Sequence, residues 1–376
     1  MRLRTPRSLV LAATLALPLT LVLGSCGPST APATPRGSAA NNTTSGTGAP
    51  ADSIYLGTRV APPRHDGAIR IATYNLLNLF DDIDDPAYSG NEEDIDDAKP
   101  QSERTALGDA IARLDADVLA LQEIESESAL AEFRDQHLAG LGYDYLVSID
   151  TGDPRGIECA VLSRFPLSNV QHWAGLALGG VHPDQWGNSE NFYAGEPITF
   201  KRSPLRVDVT VPTPTSGGGG EGGSGGAAEP YILTLFVLHN KSGGPGGYWR
   251  EAESRKIVEL IAEARDANPE ANIVVLGDLN ATSDEQSVQT LLDAGLTELL
   301  PVDQDHWAAT MSHESGRRID HILVSGPAMA EVVPGSAFIL GTPTRAPGSN
   351  WRTTPAPAGF ASDHLPVAVE LWIGDR

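Results

Sequence analysis

From about residue 68 onward, short apolar runs alternate with longer stretches whose apolar positions recur at helical spacing. The short runs are rich in strand-favouring residues and end in polar ones, as buried β-strands do. The predicted strands are 69–75, 117–123, 143–149, 156–165, 205–211, 231–238, 273–276, 317–324 and 367–373. The helical spacing predicts helices over 102–114, where Ser102 is a candidate cap, and over 126–141, 248–264 and 284–294.

The run at 273–276 is the most informative, because Gly277-Asp278-Leu279-Asn280 follows it directly. Gly277 is expected to break the run. Period-two alternation then places Asp278 and Asn280 on one side and returns Leu279 to the core. A carboxylate beside an amide can take a proton, hold a water or bind a phosphate oxygen or metal. Taken alone, the same residues are equally typical of an ordinary turn.

Other predicted strands also carry polar residues of chemical interest at or near their ends. These are Asn75, Glu123, Arg155, His239 with Asn240, and the adjacent pair Asp363-His364, while Asp320 is embedded within the predicted strand 317–324. Each has a structural explanation when taken singly, as a turn former, a solvated side chain or a structural histidine. Glu123 is disfavoured in apolar surroundings unless it is paired or bound to a metal. Such residues recur at five or more strand ends, and it is their combination and order that are informative.

The N-terminal segment has the pattern of a targeting sequence. Arg2, Arg4 and Arg7 precede an apolar stretch, residues 9–23, that is short for a membrane span. Leu23-Gly24-Ser25-Cys26 resembles a bacterial lipobox. This predicts a signal peptide over 1–25, lipidation of Cys26 and attachment to the bacterial cell envelope, with an ordinary secretory signal or an uncleaved anchor as alternatives.

Composition defines the remaining regions. Residues 26–60 are rich in small and polar residues and predict a disordered tether, followed by a single domain over 61–376. An acidic surface loop at 81–97 lacks EF-hand spacing, so a calcium loop is disfavoured. A Gly-rich loop at about 214–229 is expected to join two adjacent strands. With Cys26 lipidated, Cys159 has no partner for an internal disulfide.

The formal net charge of −23 argues against broad nonspecific binding to nucleic acid or anionic lipid, because like charges repel at long range. A locally positive or metal-filled cleft remains compatible with this charge. The whole-chain charge therefore limits how substrate is held without excluding an anionic substrate.

Six short motifs carry these candidate residues, five at an end or start of a predicted strand and the one around Asp320 within the predicted strand 317–324. They are Thr73-Tyr74-Asn75, Leu121-Gln122-Glu123, Leu238-His239-Asn240, Gly277-Asp278-Leu279-Asn280, Arg318-Ile319-Asp320-His321-Ile322 and Ser362-Asp363-His364-Leu365-Pro366. In this order they resemble the endonuclease/exonuclease/phosphatase superfamily, which includes pancreatic deoxyribonuclease, abasic-site endonucleases, neutral sphingomyelinases and inositol polyphosphate phosphatases. The segment from Arg155-Gly156 to Pro166 is similar to the corresponding strand of exported bacterial members. The resemblance implies a four-layer α/β/β/α sandwich with two mixed, mainly antiparallel sheets.

The resemblance also implies metal-dependent hydrolysis of phosphate esters, with Mg²⁺ as the expected ion and Mn²⁺ or Ca²⁺ as alternatives. The implied metal ligands are Asn75, Glu123 and Asp363. The implied catalytic residues are His239, Asp278, Asn280, Asp320 and His364. The residues implied to bind the substrate phosphate are Arg155, His239 and Asn280. Asp278 would orient or deprotonate the attacking water, and His364, oriented by Asp320, would stabilise the pentacovalent state or act as acid or base.

The favoured hypothesis is an exported, monomeric nuclease that acts on nucleic acid. Its first alternative is a phosphoesterase acting on phospholipid or a small molecule, and its second is a non-catalytic surface binding module. His239 resembles a histidine of the nuclease and sphingomyelinase branches that abasic-site endonucleases typically lack, so a DNA-repair function is disfavoured. No apolar hairpin suited to membrane entry is evident, since the Gly-rich loop is too polar.

Overall fold

The computed structural model describes residues 53–83, 98–213 and 229–373. In this part the strands are β1 Ala68–Leu79, β2 Val118–Ile124, β3 Tyr145–Ser148, β4 Glu158–Ser163, β5 Leu167–His172, β6 Ala177–Val181, β7 Gln185–Trp186, β8 Ser189–Glu190, β9 Pro197–Thr199, β10 Leu205–Val211, β11 Tyr231–His239, β12 Asn272–Asp278, β13 Thr297–Glu298, β14 Asp320–Val324, β15 Phe338–Ile339 and β16 Val367–Trp372. The helices are α1 Gln101–Leu114, α2 Glu127–His137, α3 Gly247–Ala267, α4 Gln286–Asp293 and α5 Gly326–Glu331. The predicted signal peptide with Cys26, the tether up to residue 52, most of the acidic loop and the Gly-rich loop lie outside the described residues.

Two six-stranded sheets form the centre of the molecule, in the orders β15-β16-β1-β2-β4-β3 and β13-β14-β12-β11-β10-β5. In the first sheet only β1 and β2 run parallel, and in the second only β11 and β12 do so. The sheets are therefore mixed and mainly antiparallel, which confirms the predicted fold class. Strands β10 and β11 pair as neighbours, as expected for the two flanks of the Gly-rich loop.

The core has three parts that correspond to the interfaces between four layers. The inner faces of the two sheets pack together, so that Ile71 and Val118 of one sheet share a cluster with Val237 and Val274 of the other. The outer face of the first sheet packs on α1 and α2. The outer face of the second sheet packs on α3 and α4. Because both faces of the central strands are buried, these strands have nearly continuous apolar sequences.

Each parallel pair is connected through a helix, by α1 between β1 and β2 and by α3 between β11 and β12. Parallel strands bring their carboxyl ends to the same edge of a sheet. The register places Asn75 opposite Gln122 in one pair and His239 opposite Asp278 in the other. The fold thus gathers at one edge polar residues from four different strands. Asn75 was predicted to end its strand, but β1 continues past it to Leu79, with an irregular register between the two residues.

Several predicted boundaries were wrong. The chain packs onto the domain before residue 61, since Leu56 is buried in the core and Thr58 pairs with Leu340. Helix α1 begins at Gln101, with Pro100 rather than Ser102 at its N-cap position. Strand β14 begins at Asp320, so this residue lies at the strand's start and not within it. Strands β5 to β9, β13 and β15 and helix α5 were not predicted.

Strand β12 continues through Gly277 instead of breaking there. The residue has φ of +143°, and a Cβ atom at this position would lie 2.0 Å from the carbonyl oxygen of Leu238 on β11. Only glycine allows this close approach of the two backbones. Gly277 therefore sets the spacing between the ends of β11 and β12, which carry His239 and Asp278.

Replacing Gly277 with alanine is expected to lower the free energy of unfolding by at least about 3 kcal/mol, because β11 must move away. Urea unfolding of the full chain measures this loss. The matched control is Gly295→Ala, since Gly295 also has positive φ, +86°, but has open space around the added Cβ. We expect the control to lose about 1 kcal/mol, the cost of the backbone conformation alone. Equal losses would contradict the close-approach argument.

Candidate active site

The predicted site residues of the described chain meet where the two parallel strand pairs end. The Asn75 amide donates to Asp278 Oδ2 at 3.3 Å, which joins the first sheet to the second. His239 Nε2 lies 3.6 Å from both Glu123 Oε1 and Asp278 Oδ2. Arg155 Nη1 lies 3.6 Å from Glu123 Oε1. These contacts therefore bring together residues that are far apart in the sequence, by as many as 203 positions for Asn75 and Asp278.

Asp278 is the most highly connected group of this cluster. Its Oδ1 accepts the Asn280 backbone N–H at 2.8 Å, and its Oδ2 accepts the Asn280 side-chain amide at 2.9 Å. The same amide also donates to the Asn240 carbonyl at 3.1 Å, so Asn280 orients Asp278 in this structure. Leu279 between them is buried in the core, as the alternation predicts. Burial raises the pKa of Asp278 to about 6, with His364 opposing and Asp320 adding to the shift.

His364 lies between two carboxylates. Its Nδ1 is 3.0 Å from both oxygens of Asp320, and its Nε2 is 3.8 Å from Asp278 Oδ2. Burial alone would lower the pKa of His364, but the charges of Asp320 and Asp278 hold it well above its ordinary value. The Ser312 hydroxyl donates to Asp320 Oδ2 at 2.7 Å, which fixes that carboxylate. His364 is therefore a buried imidazolium with Nε2 turned toward the site.

His239 has the opposite electrostatic surroundings. It is buried, and burial together with the charges of Arg202 and Arg155 lowers its pKa well below the ordinary value. The Nδ1 atom has no hydrogen-bond partner among the described residues. At neutral pH this imidazole is uncharged, so its Nε2 can donate one hydrogen bond without carrying a charge.

Glu123 is held in a conformation that non-glycine residues seldom adopt, with φ of +63°. Its Oε2 accepts the Asn78 backbone N–H at 3.1 Å, and the Asn78 side chain accepts from Arg155 at 2.7 Å. With this backbone conformation, the Glu123 carboxylate lies 3.6 Å from His239 Nε2. A strained residue held by surrounding contacts is typical of functional sites.

Asp363 lies beside His364 and is contacted by a further histidine, His313. The His313 Nε2 atom is 3.4 Å from Asp363 Oδ2, and the rings of His313 and His364 meet edge to face at 4.6 Å. Burial alone would raise the pKa of Asp363, but the hydrogen bond from His313 and the charges of His364 and His313 hold it below its ordinary value. Asp363 is therefore ionised, and its Oδ1 has no hydrogen-bond partner in the described chain.

These oxygens fit a hard divalent cation. Asp363 Oδ1 is a buried carboxylate oxygen without a hydrogen bond in the described chain, and its nearest cation, His364 Nε2, is 4.0 Å away. Glu123 Oε1 lies 3.6 Å from both His239 and Arg155. Such oxygens need a cation to compensate their desolvation. Two groups place their ligand atoms within 4.8 Å of one another, His313 with Asp363 and His364, and Asp278 with Asp320 and His364. Both groups include His364, which as an imidazolium has no lone pair to offer a metal, and Glu123 belongs to neither. The fit to a divalent cation therefore rests on the carboxylate oxygens.

His313 and Ser312 were missed in the sequence analysis. They lie in the loop before β14, where no apolar run identifies a polar residue as the end of a strand. The His313 backbone pairs with His364, and the Glu314 N–H donates to the Asp363 carbonyl at 2.8 Å. In the sequence, Ser312 and His313 stand eight and seven residues before Asp320. This spacing alone does not identify them as site residues, and only the pairing of the His313 backbone with His364 does so.

The sequence pattern of the Endonuclease/Exonuclease/phosphatase family matches residues 72–364, which is most of the chain and includes each clustered residue. The chain belongs to this family. The predicted resemblance is thereby confirmed. Family members hydrolyse phosphoester bonds and depend on a divalent metal, so the cluster is the candidate active site of a phosphoester hydrolase.

Solved structures with a similar fold come from distant relatives. The human Nocturnin catalytic domain is 16% identical, with 82% of this chain and 95% of that chain covered and a TM-score of 0.48. A mannosyl-6-phosphatase from Bacteroides thetaiotaomicron is 16% identical, with 81% and 99% covered and a TM-score of 0.47. A 3′ phosphatase from Neisseria bound to a product DNA hairpin is 19% identical, with 81% and 99% covered and a TM-score of 0.45. No significant match was found among curated proteins.

Replacing His313 with alanine is expected to lower phosphoester hydrolysis about 10- to 100-fold, because Asp363 and the His364 ring lose the side chain that contacts them. The measurement is kcat/KM on bis(p-nitrophenyl) phosphate across a metal titration. His306→Ala is the matched control, since His306 is an exposed histidine of the same segment that pairs with Asp303. A His313 variant as active as the His306 variant would show that His313 is dispensable.

Proposed function

We propose that this chain is an extracytoplasmic, metal-dependent phosphodiesterase and, most specifically, a nuclease. The observation that carries the proposal is the position of the Asp278 carboxylate, 3.6 Å from His239 Nε2 and 3.8 Å from His364 Nε2. A carboxylate with a pKa of about 6 is matched to proton transfer near neutral pH. Of the two histidines beside it, His364 is cationic and His239 is neutral. This difference suits a reaction in which negative charge develops on one side of a phosphate.

In the proposed mechanism Asp278, oriented by Asn280, takes a proton from the attacking water. His364 is already charged, and it stabilises the negative charge that develops on the phosphate in the transition state. Asp320 holds the imidazolium through Nδ1 and keeps Nε2 facing the substrate. His239 and Arg155 hold non-bridging phosphate oxygens, as a neutral donor and a cation respectively.

Mg²⁺ is the proposed ion, with Mn²⁺ or Ca²⁺ as alternatives, and Glu123, Asp363 and Asn75 would hold it. When bound, the ion would neutralise phosphate charge and assist departure of the leaving oxygen. Asn75 would contribute its Oδ1, which also accepts the Leu77 backbone N–H at 2.9 Å, since its amide nitrogen donates to Asp278. The Asp363 Oδ1 atom, which accepts no hydrogen bond in the described chain, supports this assignment.

A phospholipid phosphoesterase is the alternative, and one surface feature favours it. Phe192, between β8 and β9, is 99% exposed, and Val181 at the end of β6 is 58% exposed. These apolar side chains belong to a segment, residues 173–200, that packs on the beginning of α3 through Trp249. They supply the exposed apolar surface that the sequence analysis did not find, and a lipid substrate must therefore be included in any test.

The test compares plasmid DNA, RNA, sphingomyelin and bis(p-nitrophenyl) phosphate as substrates, each with Mg²⁺, Mn²⁺ or Ca²⁺ and with EDTA. We expect metal-dependent cleavage of nucleic acid. Asp278→Asn should lower the rate about 100- to 10,000-fold because the base is lost, and Glu123→Ala should abolish stimulation by metal. The matched control is Asp208→Asn, which alters a buried carboxylate of β10 that bonds Asn169 and Thr234.

Metal-dependent turnover of sphingomyelin without nucleic-acid cleavage would support the proposed catalytic residues but would show that the substrate is a phospholipid and not nucleic acid. An Asp278→Asn variant that folds correctly and turns over at the wild-type rate would refute the role of Asp278. Inactivity on every substrate and with every metal would favour the binding-module alternative.

We also propose that the protein is exported and held in the bacterial cell envelope by a lipid on Cys26, and that it acts as a monomer. In the described residues no helix is long and apolar enough to cross a membrane. The support for the anchor is the lipobox-like segment that ends at Cys26.

A Cys26→Ser variant expressed in a bacterial host is expected to move from the membrane fraction to the soluble fraction, because the acyl chains have no attachment site. Fractionation followed by immunoblotting measures this change. Cys159→Ser is the matched control, since Cys159 is buried in the sheet core and should not affect fractionation. Unchanged membrane association of Cys26→Ser would contradict lipidation at this residue.

A further inference from the structure

Beside the catalytic cluster, two loops are tied together by one buried carboxylate. The loop before β10 contains Lys201 and Arg202, and the loop after β11 contains Lys241. Glu253 of α3 is fully buried, and its two oxygens accept the backbone N–H groups of Lys201 and Lys241, each at 3.0 Å. The two loops are thereby held as one rigid rim, which we call the basic rim and define as Lys201, Arg202 and Lys241.

The basic rim carries positive charge that its neighbours only partly compensate. Lys201 and Arg202 share one carboxylate, Asp153 Oδ2, at 3.4 and 3.6 Å. The Lys241 ammonium donates to the Ser242 carbonyl at 2.6 Å and lies 4.7 Å from the centre of the Trp186 ring. Burial and then the charges of Arg202 and Lys201 lower the pKa of Lys241 to about 8. The three cations therefore act on one another at short range.

This concentration of charge is unusual for the chain. The protein has a formal net charge of −23 and four lysines, Lys99, Lys201, Lys241 and Lys256. Two of the four lie in the basic rim. Repulsion among the rim cations costs stability, which Asp153 and the buried Glu253 offset in part and a bound anion would offset further.

The basic rim is continuous with the reacting centre. Arg202 Nη1 donates to the Asn240 carbonyl at 3.2 Å, and the Asn240 N–H donates to the Asp278 carbonyl at 2.9 Å. Lys241 is two residues beyond His239, so their Cα atoms are at most about 7 Å apart. The rim therefore directly adjoins the residue proposed to hold the reacting phosphate, where a neighbouring phosphate of the same strand would lie.

One buried donor beside the rim is unused. The Asn240 side-chain nitrogen is buried and lacks a hydrogen-bond partner in the described chain. Buried donors of this kind are seldom left unpaired in folded proteins. Arg202 Nε also lacks a hydrogen bond, but it lies 3.6 Å from Asp153 Oδ2. The Asn240 nitrogen would be satisfied by an acceptor-rich group, such as a phosphate with its ordered waters, at the rim.

We propose that Lys201 and Lys241, supported by Arg202 and Asn240, form a subsite for a second, non-reacting phosphate of a nucleic acid strand. The inference rests on the proposed function and deepens it, because a monoester or a small diester has no second phosphate to occupy the subsite. A local positive subsite also explains how a strongly acidic protein holds a polyanion that its overall charge repels.

The experiment uses the full chain with Lys201→Gln, Lys241→Gln and the double variant. Lys256→Gln is the matched control, since it removes the same charge from the middle of α3, where Lys256 pairs with Glu259. Two substrates are compared, a single-stranded 12-nucleotide DNA and bis(p-nitrophenyl) phosphate. Binding of the fluorescent 12-nucleotide DNA to the Asp278→Asn protein is measured by anisotropy between 50 and 300 mM NaCl, on the background of each lysine variant.

For each rim lysine we expect KM and Kd for the DNA to rise roughly five- to tenfold, and the salt slope of log Kd to decrease by about 0.7. Hydrolysis of bis(p-nitrophenyl) phosphate should stay within about twofold of wild type, because the reacting centre is intact. Lys256→Gln should match wild type in all measurements.

Three results would overturn the subsite. The rim variants could match Lys256→Gln on DNA, or they could lose activity equally on both substrates, which would indicate a structural role. Direct binding of anionic lipid vesicles that depends on the rim lysines, without DNA binding, would assign the rim to a head group. Failure of the proposed function has a separate signature, in which wild type hydrolyses bis(p-nitrophenyl) phosphate but neither binds nor cleaves the DNA.

Discussion

Two parallel strand pairs, one in each sheet and packed face to face, are the constraint on which the rest of this structure depends. A parallel pair places two carboxyl ends at one edge, and the sandwich brings the two edges together. The Asn75 to Asp278 hydrogen bond, 3.3 Å long, crosses from one sheet to the other at that point. Strands β1, β2, β11 and β12 therefore supply one site, and the β11–β12 spacing depends on Gly277.

The same geometry separates the charge states of two histidines that share one carboxylate. His364 has Asp320 and Asp278 as neighbours, which hold its pKa well above the ordinary value. His239 is buried near Arg202 and Arg155, which together with burial lower its pKa. Both contact Asp278, whose own pKa is raised by burial to about 6. A cation, a neutral donor and a carboxylate that titrates near neutrality are thus fixed around one small space, as phosphoester hydrolysis requires.

Much of the fold and most of the cluster could be predicted from sequence, for a physical reason. Central strands are buried on both faces, so their apolar runs are clear, and the polar residue that ends each run is easily identified. Residues 173–200 could not be predicted, because strands β6 to β9 have two to five residues and are mostly exposed. His313 and Gly277 required tertiary information, since the importance of each depends on a backbone that is distant in sequence.

The measurement that tests the central claim most directly is anomalous diffraction from crystals of the full chain soaked in Mn²⁺. The account predicts one strong peak beside the carboxylates of Glu123 and Asp363, at the edge where the two sheets meet, and the loss of that peak in Glu123→Ala crystals. A peak held by Asp278, Asp320 and His364, with none at Glu123, would contradict the account. It would occupy the groups assigned to proton transfer and transition-state stabilisation, and the proposed division of roles would fail.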